Sequence, residues 1–313
     1  MTISSYPNGF TSGISIRGLP ITVAHPGQIF FVNNSSVLPP KGIGGSDANS
    51  GSYQKPFSTI NGAIAQCTAG RGDIVFVMPG HAETVAAAAG VALSKAGVAV
   101  IGLGTGSLRP TLNLTATAST VTMSAANCAL KNILITGGVD AVVSAVVVSA
   151  ADCTIEGCEL RDVTGQMTDG ILTTAGAVRL KILKHIHNGA TAAGTNAAIA
   201  IVGGSDIEIT AEVIDGNFAV GGIDIRTTLS TNLYVHDVGR FYTRNAADIF
   251  LVDTITASTG QVGPNINLRL TDNAANITEA CTGATFVYMQ PINVVNLAGE
   301  SSLQINITAS TDA

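Results

Sequence analysis

The chain has 313 residues, with 15 Lys and Arg against 21 Asp and Glu and a formal net charge of −6. Hydrophobic residues make up 46% and charged residues 12% of it, which excludes a disordered polar chain. Nucleic acid is excluded as the main partner, because phosphate binding needs clustered cations and the sequence has no run of Lys or Arg. No apolar stretch reaches the length of about 18 residues that a membrane-spanning helix needs.

Residues 1–28 are rich in Pro and Gly, which predicts irregular structure. The same segment carries several apolar residues, which are Ile14, Ile16, Leu19, Ile21 and Val23. We expect so apolar a segment to lie against its own chain or a neighbour, and we interpret residues 1–28 as an anchoring arm. Met1 is not followed by a basic and then an apolar stretch, so we expect no signal peptide and synthesis in the cytoplasm.

Residues 29–70 are predicted to form a strand and a capping helix. The run from Gln28 to Val32 indicates the strand. After a turn, apolar residues follow at the spacing of one helical face, namely Phe57, Ile60, Ala63, Ile64 and Cys67. Ser58 is the expected N-cap. A helix here would cover the open end of a stack of strands.

Five stretches between residues 128 and 236 repeat one pattern about every 25 residues, a period typical of stacked supersecondary units. They are Cys128–Ile135, Cys153–Leu160, Val178–Lys184, Ile207–Val213 and Asn232–His236. In each stretch apolar residues alternate with polar ones, the period-2 pattern of a strand with one buried face. Strand-rich repeats separated by Gly, Asn and Asp predict an all-β fold, a parallel β-helix with one coil per repeat.

We assign residues 71–270 to these coils, roughly eight of them at about 25 residues each. Cys128 and Cys153 begin neighbouring repeats, so both are expected to point into the lumen as small buried side chains in the reduced state.

Residues 28–112 resemble a known family, and the resemblance continues through the coils to about residue 240. A strand, Gly-Ser-Asp-x-Asn-x-Gly ending at Gly51, and Pro-Phe-x-Thr-Ile-x-x-Ala-Ile ending at Ile64 resemble the N-terminal cap of pectin-lyase-like right-handed parallel β-helix proteins. Asp73–Glu83 and Gly97–Leu112 resemble the first coils of those proteins. The combination is similar in particular to β-helix virion proteins of tailed bacteriophages, tailspikes included. The resemblance implies a right-handed parallel β-helix and a phage virion location, and it implies no particular activity.

The pattern changes toward the C-terminus. Gln261–Leu270 reads as one more coil, and three later stretches read as antiparallel strands, which are Thr285–Met289, Ile292–Leu297 and Leu303–Ile307. We interpret residues 271–313 as a small β cap or oligomerisation module. In trimeric virion fibres, such a module holds the three chains together, so the resemblance implies a homotrimer.

Acidic residues suggest the only candidate catalytic chemistry. They lie in two groups, Glu156, Glu159, Asp162 and Asp169, and Glu208, Glu212, Asp215 and Asp224. Glycoside hydrolysis needs two carboxylates about 5–10 Å apart, which carboxylates two coils apart could provide. If the chain is an enzyme, the candidate residues are Glu156, Glu159, Glu208 and Asp215. A polysaccharide lyase would use Arg179 or Arg226 as base, but no acidic cluster is evident beside either.

His185 and His187 place two imidazoles on one face of a strand. Two histidines at this spacing can share a metal ion when a carboxylate joins them, but no third ligand is evident by spacing. We therefore expect a surface-exposed or stacked pair, and we predict neither a metal ion nor another cofactor.

These observations favour a structural protein over an enzyme, because the chain lacks Trp and has only 5 Tyr and 9 Phe for a sugar-binding platform. The function predicted from the resemblance is a trimeric capsid decoration or head-spike protein of a tailed phage, bound to its own copies and to the major capsid protein or tail proteins. The alternatives are a tailspike or tail fibre that binds or cleaves host surface polysaccharide, and a non-viral β-helix adhesin, which the expected lack of a signal peptide disfavours.

Overall fold

The computed structural model describes ten segments of the chain, which are residues 15–16, 19–20, 27–38, 40–162, 167–191, 194–243, 249–255, 257–270, 278–279 and 285–296. The secondary structure is almost entirely β, with one α-helix and one 3-10 helix at Gly106–Leu108 in these segments. None of the described helices is long and apolar enough to cross a membrane.

The elements up to residue 123 are β1 (Ser15–Ile16), β2 (Leu19–Pro20), β3 (Ile29–Val32), α1 (Ile60–Gln66), β4 (Ile74–Val77), β5 (Ala82–Val85), β6 (Val91–Leu93), β7 (Ala99–Gly102), β8 (Thr111–Leu114) and β9 (Val121–Met123). The next are β10 (Ala129–Lys131), β11 (Leu134–Gly137), β12 (Val142–Val148), β13 (Thr154–Glu156), β14 (Glu159–Asp162), β15 (Met167–Thr173), β16 (Lys181–Asn188), β17 (Thr195–Ile201) and β18 (Glu208–Gly216). The last are β19 (Phe218–Ile225), β20 (Leu233–Thr243), β21 (Leu251–Asp253), β22 (Thr259–Val262), β23 (Ile266–Leu270), β24 (Thr278–Glu279), β25 (Thr285–Tyr288) and β26 (Ile292–Asn296).

The strands from β3 onward stack in parallel into a β-solenoid of about seven turns, against the roughly eight coils expected. Three faces run along it. The first face contains β3, β4, β7, β10, β13, β16, β18, β20, β22 and β25. The second contains β5, β8, β11 and β14, the later parts of β16, β18 and β20, and then β23 and β26. The third contains β6, β9, β12, β15, β17, β19, β21 and β24. The predicted parallel β-helix is therefore confirmed.

The lumen is filled by aliphatic side chains and a few Phe, Cys and His, joined in one apolar cluster from β3 to β26. Cys128 and Cys153 are free and buried in neighbouring coils, as predicted. Burial raises the pKa of the Cys128 thiol to about 11. Small side chains dominate because each coil must fit against the coils above and below it.

The repeat spacing is confirmed, but the residue-by-residue alignment of two of the repeats with their neighbours needs a correction. The Cα partners in successive strands of the first face are Ala129, Thr154, Lys181, Glu208 and Tyr234. Leu180 rather than Val178 therefore aligns with Cys153, and Leu233 rather than Asn232 aligns with Ile207. Turn lengths differ between coils, and alternation within a strand does not report how many residues a turn holds.

Several polar residues recur once per coil because each lies at the corner that precedes a strand of the first face. In five successive coils one residue there has a left-handed backbone, and these are Asn127, Asp152, Arg179, Asp206 and Asn232, with φ between 55° and 59°. Asn and Asp tolerate this conformation better than other non-glycine residues. Their side chains also join coils, since Asn232 Nδ2 donates to Asp206 Oδ1 at 2.9 Å.

Helix α1 lies inside the predicted range, but its N-cap is Thr59 rather than Ser58. Thr59 Oγ1 accepts a hydrogen bond from the Gly62 N–H at 2.9 Å, while Ser58 donates to the Asp47 carboxylate instead. Asn61 donates to the Gly90 carbonyl and accepts from the Ala92 N–H, backbone groups beside and on β6 at the end of the third face. These contacts suit a cap, and the capping role stays a prediction.

The antiparallel arrangement predicted after residue 285 is wrong. β25 pairs with β22 and β26 pairs with β23, both in parallel, so these strands continue the solenoid. Alternation is the same in parallel and antiparallel strands, and the sequence could not distinguish them. The third predicted strand, Leu303–Ile307, lies outside the described residues, and an oligomerisation module at 271–313 stays a prediction.

Candidate functional site

The four candidate carboxylates lie on two different faces. Glu156 and Glu208 belong to strands of the first face, β13 and β18. Glu159 in β14 and Asp215 in the later part of β18 belong to the second face. The structure therefore does not bring the four residues together, although each face holds two of them two coils apart.

Glu156 and Glu208 are each held by a lysine from the preceding coil. Lys131 Nζ lies 2.8 Å from Glu156 Oε2, and Lys181 Nζ lies 2.9 Å from Glu208 Oε2. The hydrogen bond from Lys131 lowers the pKa of Glu156, and the hydrogen bond from Lys181 lowers that of Glu208. His236 Nε2 also lies 3.2 Å from Glu208. A general acid needs a raised pKa, so this environment does not suit either carboxylate for that role.

Glu159 is the most enclosed of the four. Arg109 Nη1 donates to Glu159 Oε2 at 2.9 Å, while Arg161 Nε and Asn188 Nδ2 each donate to Oε1 at 2.8 Å. Arg109 also donates through Nη2 to the carbonyl of Gly157. The donors come from three coils, because Arg109 precedes β8, Arg161 is in β14 and Asn188 ends β16.

A cleft of about 400 Å³ opens beside Glu159 on the second face. Its lining contains two guanidinium groups, one carboxylate and two hydroxyl residues, and consists of Gly106, Ser107, Arg109, Thr111, Leu134, Glu159 and Arg161. The charged side chains of the lining sum to one positive charge, so the cleft suits an anionic group better than a cation. Arg109 Nε is buried without a hydrogen-bond partner, which leaves one donor unsatisfied at this place.

Asp215 has a different environment. Arg240 Nη2 lies 3.3 Å from Asp215 Oδ2, and the Arg240 side chain is half exposed. Asn188 and Asp215 are paired residues in β16 and β18, so Asn188 stands between Asp215 and Glu159 on this face. The two carboxylates that share the second face are thus separated by an amide that already binds one of them.

The sequence showed no acidic cluster beside Arg226, and the structure corrects this. It places an acidic cluster beside Arg226 on the third face. Arg226 Nη1 donates to Asp224 Oδ2 at 2.9 Å, and Nη2 donates to Asp169 Oδ2. Burial raises the pKa of both carboxyl groups, and it also raises that of Asp253 in the next coil. Asp169 lies two coils before Arg226, so only the coil period could have connected them.

This cluster is closed in the structure. The side chains of Asp169 and Asp224 are 4% and 2% exposed, and one oxygen of each is buried without a hydrogen-bond partner. A substrate cannot reach carboxylates covered to this degree. The cluster therefore has the raised pKa of acid catalysts without the access that catalysis needs.

His185 and His187 lie on one strand face as predicted, but that face is the lumen, so the surface-exposed reading is wrong. The two rings are 6.2 Å apart, and all four ring nitrogens are buried without hydrogen-bond partners. Burial lowers the pKa of His185 to about 3 and that of His187 to about 4. Among the described residues, no three His, Cys, Asp or Glu are grouped so that they could hold a metal ion.

Comparisons with known proteins identify no relative. No protein-family model, no curated protein and no solved structure matches the chain. The resemblance to pectin-lyase-like and phage β-helix proteins therefore stays a prediction from the sequence.

Proposed function

We propose that the chain is a structural protein on the surface of a tailed-phage virion, a homotrimer that decorates the capsid or forms a head spike. The observation that supports this best is the use of charged side chains as ties between coils. Each of the four candidate catalytic carboxylates contacts a cationic side chain of another coil, in the pairs Lys131–Glu156, Lys181–Glu208, Arg109–Glu159 and Arg240–Asp215. Arg179 joins Asp152 in the same way.

Ties of this kind stiffen a rod. A solenoid is held by contacts between neighbouring coils, so every ion pair across a coil boundary resists bending and local opening at that boundary. The lumen adds one continuous apolar core from β3 to β26. A rigid shaft that projects from a shell is a use of the fold that requires no chemistry at a site.

The partners in this proposal are other copies of the chain and a protein of the virion, either the major capsid protein or a tail protein. The arm of residues 1–28 is our candidate for the virion contact, and residues 271–313 for the contact between copies. Most of the arm and much of the C-terminal segment lie outside the described residues.

Cryo-electron microscopy of purified particles of the encoding phage tests the proposal. We expect many copies, grouped as trimers at symmetry-related positions on the shell. A few copies at the tail tip would contradict the decoration role, and absence of the chain from purified particles would contradict any virion role.

A second candidate function is glycan binding or cleavage, which the cleft beside Glu159 supports. Its two guanidinium groups and its hydroxyls would suit the carboxylate of an acidic sugar. Incubation of the full chain with host surface polysaccharide should then release oligosaccharides or show saturable binding. Glu159→Gln should abolish the effect, and Glu156→Gln, on the first face, is the matched control that should not.

A further inference from the structure

The outward side of the first three strands of the first face is apolar. Residues that alternate with the buried core positions here would ordinarily be polar, because they face away from the lumen. Instead they form a group with a nearby tyrosine, which we name the outer apolar patch and define as Ile29, Phe31, Tyr53, Ile74, Phe76 and Ile101. Ile29 and Tyr53 are nearly half exposed.

The members of the patch are in mutual contact. The Phe31 and Phe76 rings are 5.8 Å apart, and the Tyr53 ring meets Phe31 edge-on at 5.5 Å. Ile101 follows Phe76 as its paired residue in the next strand. The other four members of the patch are half-buried, and a contiguous, partly exposed apolar surface of this kind marks a place where another segment binds.

The patch ends abruptly along the same face. The residue paired with Ile101 is Lys131, and the residue paired with Lys131 is Glu156. In this and the next coils, outward positions carry the ion pairs Lys131–Glu156 and Lys181–Glu208. The aromatic and aliphatic group thus belongs to the N-terminal end of the face, which adjoins the segment just before β3.

The segment just before β3 has the composition and length to cover the patch. The backbone of β1 and β2 forms an antiparallel hairpin in which Ile16 pairs with Leu19. In the sequence, apolar residues hold alternate positions outward from this pair, at Ile14 before it and at Ile21 and Val23 after it. Such alternation predicts a hairpin with one apolar side.

The connection permits the hairpin to fold back. Pro26-Gly27 is a turn dipeptide, and it stands between the hairpin and Ile29, the first residue of the patch. The stretch from Val23 to Gly27 can span about 14 Å at roughly 3.4 Å per residue. The rise from one stacked strand to the next is about 4.8 Å, so the whole patch is within reach.

We propose that the outer apolar patch is the docking surface for the apolar side of the hairpin formed by residues 14–23 of the same chain. The inference does not depend on a virion role. It assigns to the N-terminal arm a defined seat on the solenoid, so that whatever binds the arm is held in a fixed orientation relative to the shaft.

Limited proteolysis tests the docking, because Arg17 is the only Lys or Arg before Lys41. We expect Tyr53→Asp and Ile101→Asp to speed native tryptic cleavage after Arg17 by about tenfold, since cleavage follows the population of the undocked arm. Thr122→Asp, at an outward position of β9 on the third face, is the matched control and should leave the rate unchanged. Equal rates in all variants would overturn the proposal.

Cross-linking identifies the chain that supplies the hairpin. Ile16→Cys combined with Phe76→Cys is treated with a short bis-maleimide in a mixture of ¹⁴N- and ¹⁵N-labelled protein. We expect cross-linked peptides of uniform label, which require both cysteines in one chain. Hybrid-label peptides would assign the seat to the hairpin of a second copy, and absence of the cross-link would remove the hairpin as occupant. The Tyr53 side chain is nearly half exposed in the wild type, so we expect Tyr53→Asp to fold. A circular dichroism spectrum of this variant checks that it does.

Discussion

Arg109 donates a 2.9 Å hydrogen bond to Glu159 from two coils away, and both side chains are almost fully buried. Removing Arg109 takes away one of the two guanidinium groups that bind the buried Glu159 carboxylate, and the other, Arg161, is half exposed. We expect Arg109→Ala to lower the free energy of unfolding by about 2–4 kcal/mol. Urea denaturation followed by circular dichroism measures the change.

Lys131→Ala is the control for this prediction. Lys131 and Glu156 are each about one-third exposed, so solvent screens their interaction. We expect a loss of less than about 1 kcal/mol. Equal losses for the two alanine variants would mean that the Glu159 cluster contributes no more than a surface ion pair.

Substitution of Arg226 should reduce the stability of the fold more at neutral pH than at acidic pH. Arg226→Gln leaves Asp169 and Asp224 buried without a cation, and both carboxyl groups already have a raised pKa. A carboxyl group with a raised pKa in the folded state stabilises the fold at low pH and loses that contribution as the pH rises through the folded pKa. We therefore expect Arg226→Gln to be destabilised at pH 7 and to approach the wild type as the pH falls and the two carboxyl groups become protonated.

Thermal melting at several pH values checks this expectation. Arg226→Lys keeps the positive charge and should retain more of the wild-type stability at pH 7. A destabilisation of Arg226→Gln that does not change between pH 7 and pH 5 would contradict the carboxylate explanation.

The lumen histidines should make the fold acid-sensitive. The pKa of His185 is lowered to about 3 and that of His187 to about 4, from an ordinary value of 6.5. Between these values the unfolded chain binds protons that the folded chain does not, so stability falls as the pH decreases below about 6.5. Each histidine should contribute a slope of up to about 1.4 kcal/mol per pH unit.

Single and double leucine substitutions of His185 and His187 measure this slope. The backbone of Cys158 accepts a hydrogen bond from the Ile186 N–H between the two histidines, and burial raises the pKa of the Cys158 thiol to about 11, so this thiol stays neutral throughout. Denaturation midpoints between pH 6.5 and pH 5 should show half the wild-type slope in either single variant and little slope in the double variant. An unchanged slope in the double variant would exclude the histidines as its origin.

Asn132 shows why polar residues stand at the corners. It has a φ of 52°, and its side chain donates to the carbonyls of Gly102 at 2.8 Å and Gly104 at 3.0 Å. We expect Asn132→Val to cost about 2–3 kcal/mol, because a β-branched residue is strained at this φ and both hydrogen bonds are lost. Asn132→Gly keeps the backbone conformation and should cost less. Equal losses in urea denaturation would mean that backbone strain contributes nothing.

Several features of the fold follow from local sequence. Alternation in stretches such as Cys128–Ile135 marks strands with one buried face, and the recurrence of the stretch about every 25 residues indicates stacked coils. The helical face from Phe57 to Cys67 predicts α1. These patterns were sufficient because alternation and helical spacing depend on residues within one element, and the repeat depends only on separation along the chain.

Direction, register and partners required the tertiary structure. Parallel and antiparallel strands share one alternation, so the direction of β25 and β26 was not predictable. The side of a strand that faces the lumen is also undetermined by periodicity alone, so the sequence left a surface-exposed pair open for His185 and His187. Arg109 contacts Glu159, and Arg226 contacts Asp169, only because coils with turns of unequal length stack in one particular register. The sequence determined that the chain winds into a β-solenoid, and the stacking of its coils decided which charges meet.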